Sequence, residues 1–187
     1  MKKYIRIVGG QYRRTPISVL DAPGLRPTPD RVRETLFNWL SFFWHNEFAN
    51  KNVLDLFAGS GALGFEAASR GVQSVQMVET HAPTVAALRH LRDKLKADQV
   101  RIHHGSAHDA SLRLDQGRFD LIMLDPPFGQ AWFPDLLVKI MPLLNQNGLV
   151  YAEHEASFEV PKAFQSLRVG RAGAVHFQLL QLVTTSS

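Results

Sequence analysis

Two short stretches carry the residue types that could do chemistry together. In Val53-Leu54-Asp55-Leu56-Phe57-Ala58-Gly59-Ser60-Gly61-Ala62-Leu63-Gly64, an apolar run leads into a G-x-G-x-x-G turn. Glycines there let the backbone approach a bulky ligand, and a helix opening behind them offers unpaired N–H groups. Glu79 follows Gly59 by about twenty residues, the separation at which a carboxylate can accept both hydrogens of a ribose diol. That much suits any nucleoside-bearing cofactor. Asp55, just ahead of the turn, narrows the choice, because a carboxylate attracts an amino-acid ammonium group and repels a pyrophosphate. The expected ligand is S-adenosyl-L-methionine rather than a dinucleotide.

The second stretch, Asp125-Pro126-Pro127-Phe128, follows another apolar run, Phe119-Asp120-Leu121-Ile122-Met123-Leu124. An exocyclic base amine is conjugated with its ring and is a poor nucleophile. The Asp125 carboxylate and the Pro126 carbonyl can each accept one of its hydrogens, which aims the nitrogen lone pair at an incoming methyl group. The prolines, Pro126 and Pro127, stiffen the loop and donate nothing, and Phe128 is placed to stack on a base drawn out of its surroundings. Asp125, Pro126, Pro127 and Phe128 are therefore the expected amine site.

For these loops to meet, the elements around them must form one open parallel sheet. Apolar runs at 53–57, 74–79, 99–103, 119–124 and 147–152 read as buried strands. Helical patterns fall at 61–70, 82–96 and 130–144, with a less defined turn at 107–114. Alternation of this kind indicates βαβ units, whose loops converge at the carboxyl ends of the strands. Gly71 and Asn147-Gly148 sit where helix-ending residues belong. Residues 164–169 and 174–180, about Gly170-Arg171-Ala172-Gly173, read as an antiparallel hairpin, which brings the expected strands to seven.

Ahead of the sheet, residues 4–20 read as a small β-element. Thr28-Pro29-Asp30 then starts a helix, with Thr28 as cap. Val32, Leu36, Leu40 and Phe43 form its buried stripe, while Arg31, Arg33 and Glu34 are expected near the loop. Phe42, Phe43 and Trp44 are expected in the core. The expected organisation is a basic extension over 1–45 for RNA binding and a cofactor-binding domain over 46–187.

The chain has 187 residues, 45% hydrophobic and 20% charged, with a net charge of +4 and no cysteine. That excludes disulfides and thiolate chemistry, and no apolar run is long enough to span a bilayer. The amino terminus lacks the apolar stretch of a signal peptide, so the expected location is the cytoplasm. Positive charge gathers early, in Lys2, Lys3, Arg6, Arg13, Arg14, Arg26, Arg31 and Arg33 against Asp21 and Asp30, and points to a polyanionic partner. His103, His104 and His108 form a cluster, but neighbouring strand residues point to opposite faces, so no metal site is expected. Glu153-His154-Glu155 follows the fifth strand, where it could line the pocket rim, but a solvated loop is the favoured reading.

The run Arg6-Ile7-Val8-Gly9-Gly10, followed by Gly24-Leu25-Arg26-Pro27-Thr28-Pro29-Asp30-Arg31-Val32-Arg33-Glu34-Thr35-Leu36-Phe37-Asn38-Trp39-Leu40, resembles the bacterial RsmD family. The resemblance implies a Rossmann-like class I methyltransferase fold and methylation of guanine N2 in 16S ribosomal RNA. It implies S-adenosyl-L-methionine as donor, S-adenosyl-L-homocysteine as product, and a small ribosomal subunit as partner. On this basis Asp55, Phe57, Gly59, Gly61, Glu79, Ser106 and Ala107 are expected to bind the cofactor, with Ser106 standing where the wider class carries an acidic residue. Arg6, Arg13, Arg14, Arg26, Thr28 and Arg31 are expected on the RNA side. A monomer is expected, since no surplus apolar surface demands a dimer. Competing readings are an adenine-N6 methyltransferase with the same tetrapeptide, a non-catalytic RNA-binding assembly factor, and, last, a nicotinamide oxidoreductase.

Overall fold

The computed structural model describes residues 3–20, 28–127, 132–155 and 157–183. In chain order the elements begin with β1 (Lys3–Arg6), β2 (Pro16–Val19) and α1 (Asp30–Phe43). They continue through β3 (Asn52–Asp55), α2 (Ala62–Ser69), β4 (Ser74–Glu79), α3 (Ala82–Leu95), β5 (Val100–His104) and α4 (Ala107–Arg113). The last are β6 (Phe119–Leu124), α5 (Asp135–Ile140), β7 (Leu144–His154), β8 (Phe164–Ala172) and β9 (Val175–Leu182).

Strands β3 to β9 form one sheet in the order β5-β4-β3-β6-β7-β9-β8. The pairs from β5 across to β7 are parallel, and β9 joins β7 and β8 antiparallel. The chain enters at β3, builds outward to β5, then crosses back to lay β6 against the other side of β3. That reversal opens a crevice beyond the carboxyl ends of β3 and β6, where open sheets of this kind hold ligands. It is the expected α/β architecture, with seven strands.

Strand alternation divides the core in two. Val53, Leu121, Met123 and Tyr151 face one cluster with α1, α2 and α3. Their neighbours Leu54, Ile122, Leu124 and Val150 face the other with α5. With both faces covered, the inner strands are apolar along most of their length, which is why they read as hydrophobic runs rather than alternating ones.

The small β1–β2 hairpin packs Ile7, Tyr12 and Ile17 into the first of these clusters. Its attachment to α2 is polar and specific. Glu66, fully buried, accepts from the amides of Val8 and Gly9 at 2.8 Å each, and Ser69 Oγ accepts from the amide of Tyr12 at 2.8 Å. Gly10 lies at φ +74 with its Cα against the Ser69 carbonyl, so close that a Cβ would sit 1.9 Å from that oxygen.

Several local expectations are corrected. Thr28 does not cap α1; Pro29 occupies the cap position without a side-chain bond, and the Thr28 hydroxyl turns into the site described below. Arg33 is fully buried rather than near the loop, donating to the carbonyl of Arg6 at 2.7 Å and to Asp30 at 2.6 Å. Phe42 is 65% exposed, because the buried stripe of α1 runs through Val32, Leu36, Phe37 and Leu40 on another side of the helix.

The helix expected over 130–144 is, among the described residues, only Asp135–Ile140 and one tight turn at Met141–Leu143, since Pro142 cannot supply the next helical N–H. Asn147-Gly148 ends no helix. These residues lie within β7, at a bulge between the pairs Phe119↔Leu144 and Leu121↔Leu149, with Asn147 at φ +68. The last hairpin turns at Gly173-Ala174, so β8 runs through residues 170–172. Residues 107–113 form a true helix, α4. No helix of the described residues is long and apolar enough to cross a membrane.

Candidate active site

The turn after β3 is held open by its own backbone. Gly59 and Gly61 adopt φ +51 and +80, and the Gly61 amide closes on the carbonyl of Ala58 at 2.7 Å. A Cβ on Gly61 would fall 2.5 Å from Leu88, so this position is restricted by both dihedral and space. Glu79, at the end of β4, accepts from the amide of Gly59 through Oε2 at 2.9 Å and from the amide of His81 through Oε1 at 2.8 Å. The carboxylate expected to meet a ribose is therefore fixed beside the glycine turn.

Asp55 is 1% exposed, and among the described residues no side chain donates to its carboxylate; only the backbone at Phe57 and Gly64 approaches it. Burial pushes its pKa up from 3.8 to about 7; the backbone at Phe57 and Gly64 opposes this, and the charges of Glu79 and Glu153 add to it. The ring of Phe57 meets Trp132 edge-on at 5.2 Å, and the Trp132 indole N–H is buried without an acceptor. Ser106 caps α4, accepting from the Asp109 amide at 3.0 Å and donating to the Asp109 carboxylate at 2.7 Å. Ala107 is buried against the core at the start of that helix.

Asp125 follows β6 directly and is half-buried; Pro126 is buried and Pro127 exposed. Loss of solvent, and then the charges of Glu153 and Asp55, raise the Asp125 pKa well above the usual carboxylate range. The Asp55 charge thus lies close enough to oppose the ionisation of Asp125. Asp55 pairs with Met123 across β3 and β6, and Asp125 directly follows β6. Phe128, the fourth member of the expected amine site, lies outside the described residues.

A further carboxylate completes the arrangement. Glu153, 4% exposed at the end of β7, accepts from Thr28 Oγ1 and from the Tyr151 hydroxyl at 2.8 Å each. Thr28 Oγ1 also lies 3.5 Å from Asp125 Oδ2. Burial raises the pKa of Glu153, against the two hydroxyl bonds, and burial with the neighbouring Glu153 raises that of Tyr151.

The family described as Conserved hypothetical protein 95 matches residues 5–181. The chain is 37% identical to Ribosomal RNA small subunit methyltransferase D of Escherichia coli, an alignment covering 95% of this chain and 89% of that protein. This chain belongs to the RsmD family. The Haemophilus influenzae protein of the same description is 35% identical, with 96% of this chain and 95% of that protein covered. The solved structure of Escherichia coli yhhF superposes with a TM-score of 0.81 at 35% identity, covering 98% of this chain and all of the other.

Within this RsmD-family chain, Asp55, Phe57, Gly59, Gly61 and Glu79 lie at or just beyond the carboxyl ends of β3 and β4, and Asp125 directly follows β6. Arg6, Arg13, Arg14 and Arg31 are exposed on the β1–β2 hairpin and the start of α1, and Arg6 pairs with Asp30 at 3.3 Å. Arg26 lies outside the described residues. Thr28 is not a surface residue but is 3% exposed.

The solvated-loop reading of Glu153 is overturned by its burial. A signal was present in the sequence, for Glu153 closes the apolar run Leu149-Val150-Tyr151-Ala152 as Asp125 closes the run before it. His103 and His104 take separate partners, Gln76 at 2.9 Å and the Thr80 carbonyl at 3.0 Å. Among the described residues no group of three metal-ligating side chains assembles.

Proposed function

We propose that this chain transfers the methyl group of S-adenosyl-L-methionine to the exocyclic N2 of a guanine in 16S rRNA, with S-adenosyl-L-homocysteine as product. The observation that carries the reading is the position of Asp125 two residues beyond Met123, which pairs with Asp55 across the adjacent strands β6 and β3. It brings an amine acceptor against a pocket suited to an amino-acid nucleoside.

The residues present fit that cofactor. Asp55 offers a buried carboxylate with no side-chain donor, which suits an ammonium group. Glu79 is anchored for a ribose diol, and the left-handed glycines keep the turn clear. Phe57 would border the ligand, and Ser106 and Ala107 would flank its adenine through the backbone, since the Ser106 hydroxyl is engaged as a cap. When bound, the sulfonium supplies an electrophilic methyl group.

The chain's own part is orientation and proton handling. Asp125 and the Pro126 carbonyl hold the two N2 hydrogens and turn the lone pair toward the methyl group. As the N–C bond forms, the nitrogen sheds a proton, and the Asp125 carboxylate is the acceptor placed to receive it. Pro127 and Phe128 would keep the loop stiff and cover the base.

Residues 1–45 would serve as the RNA-binding extension, with Arg6, Arg13, Arg14, Arg26 and Arg31 meeting phosphates and residues 46–187 holding the cofactor. A monomer acting on an assembled small subunit fits so short a basic appendage. The test is incubation with isotope-labelled cofactor and small-subunit particles from cells lacking the enzyme, followed by mapping of the labelled nucleotide. Label on N2 of one guanine is expected; label elsewhere overturns the reading. In the same assay Asp125→Ala should lower the rate by at least about 100-fold with cofactor affinity retained.

A further inference from the structure

One strand away from Asp125 lies a buried carboxylate with no cation beside it among the described residues. Glu153 directly follows Ala152, which pairs with Leu124 at the end of β6. Thr28 and Tyr151 both donate to its Oε1, and among the described residues no donor meets Oε2. The hydroxyl of Thr28 reaches toward both carboxylates, at 2.8 Å from Glu153 and 3.5 Å from Asp125.

Stability is a poor reason for this arrangement. Burying a carboxylate with only neutral partners is costly, and an apolar side chain in that place would pack the strand without opposing Asp125. A ligand edge bearing two adjacent N–H groups would offset the cost, one group for each acid. Guanine has such an edge, with N1–H beside the N2 amine, whereas adenine places a lone pair on N1 beside its amine.

Resting on the guanine reading above, we propose that Glu153 accepts the N1–H of the target base through Oε2 and so sets specificity. Asp125 and the Pro126 carbonyl hold the N2 hydrogens beside it. Thr28 and Tyr151 occupy Oε1, fix the rotation of the carboxylate and leave one oxygen to present. Since Thr28 lies two residues ahead of α1, the basic extension and the base-reading group are set together.

The test uses small-subunit particles reconstituted with guanosine or with 2,6-diaminopurine riboside at the target position. The analogue keeps the N2 amine but carries a lone pair at N1. Wild type should favour guanosine by at least about 100-fold in kcat/KM, since a site built to accept an N–H is left repelling a lone pair. Glu153→Gln still accepts from both hydroxyls and can donate to N1, so the preference should fall at least about tenfold with cofactor affinity by calorimetry retained. Tyr151→Phe, which leaves the carboxylate in place, should keep most of the preference. Should Glu153→Gln not fold, Glu153→Asp makes the same comparison with charge retained and reach shortened, and its preference should also fall. A Glu153 variant that keeps the wild-type preference, or loses both substrates equally, overturns the assignment while leaving guanine methylation standing. If wild type methylates neither particle, the guanine reading fails and this inference with it.

Discussion

Replacing Asp55 by Asn tests the cofactor pocket through two opposed effects. The carboxyl is 1% exposed and its pKa rises from 3.8 to about 7 on folding. A rise of that size corresponds to at most about 4 kcal/mol of opposition between the ionised group and the fold. The sign follows from linkage. With the folded pKa above the unfolded one, the native state binds the proton more tightly. The contribution of Asp55 is then fully present below its unfolded pKa and lost as pH rises through the folded value.

Asparagine has no such dependence. The stability of Asp55→Asn relative to wild type should grow by about 1.4 kcal/mol per pH unit between about pH 5 and 7, then level off. Urea unfolding of the ligand-free proteins across that range measures it. Cofactor affinity should move the other way, falling by at least about tenfold at pH 8, because a dry carboxylate facing an ammonium group is lost. In wild type, binding should release protons near neutral pH, readable by calorimetry in buffers of differing ionisation enthalpy. A stability gap that stays flat with pH would refute the account of Asp55 as a charge held against burial. Unchanged cofactor affinity would remove Asp55 from the pocket.

Two further substitutions test how the amino-terminal elements are attached and used. Glu66→Ala strands the amides of Val8 and Gly9 and takes a carboxylate from the neighbourhood of buried Arg33. It should cost about 3–5 kcal/mol in urea unfolding, and a loss under about 1 kcal/mol would show the clamp to be incidental. Arg31→Glu, at an exposed position, should weaken binding to small-subunit RNA and reduce its salt slope by about one unit, with protein stability unchanged. An unaltered slope in filter-binding titrations would move the phosphate contact away from this helix.

The order of strands and helices was legible because period and composition report burial directly. Runs such as Leu121-Ile122-Met123-Leu124 are apolar without alternation only if both faces are covered, and covered faces imply a parallel sheet between helices. The glycine turn and the Asp125 loop were legible for a related reason: a site at strand ends is written as polar or glycine residues immediately after apolar runs. Glu153 obeyed the same rule but was hidden by its company, since His154 and Glu155 beside it are typical of solvated loops. Thr28 was misread because Thr-Pro-Asp satisfies local helix-start chemistry so well. Its hydroxyl is drawn instead to a carboxylate that lies 125 residues away in sequence.

By itself, the chain's residue order determined the alternating α/β architecture, the seven strands and the two loops that could hold a nucleoside and an amine. These are local properties, set by hydrophobic period, turn chemistry and the residue types at strand ends. Only the tertiary structure decided that Asp55, Asp125 and Glu153 share one poorly solvated crevice, that Arg33 is interior and that Glu66 fastens the amino-terminal hairpin. Those facts depend on which strands lie side by side and on how much water is left between them. Charge in a protein is governed by that missing water, and no stretch of neighbouring residues records it.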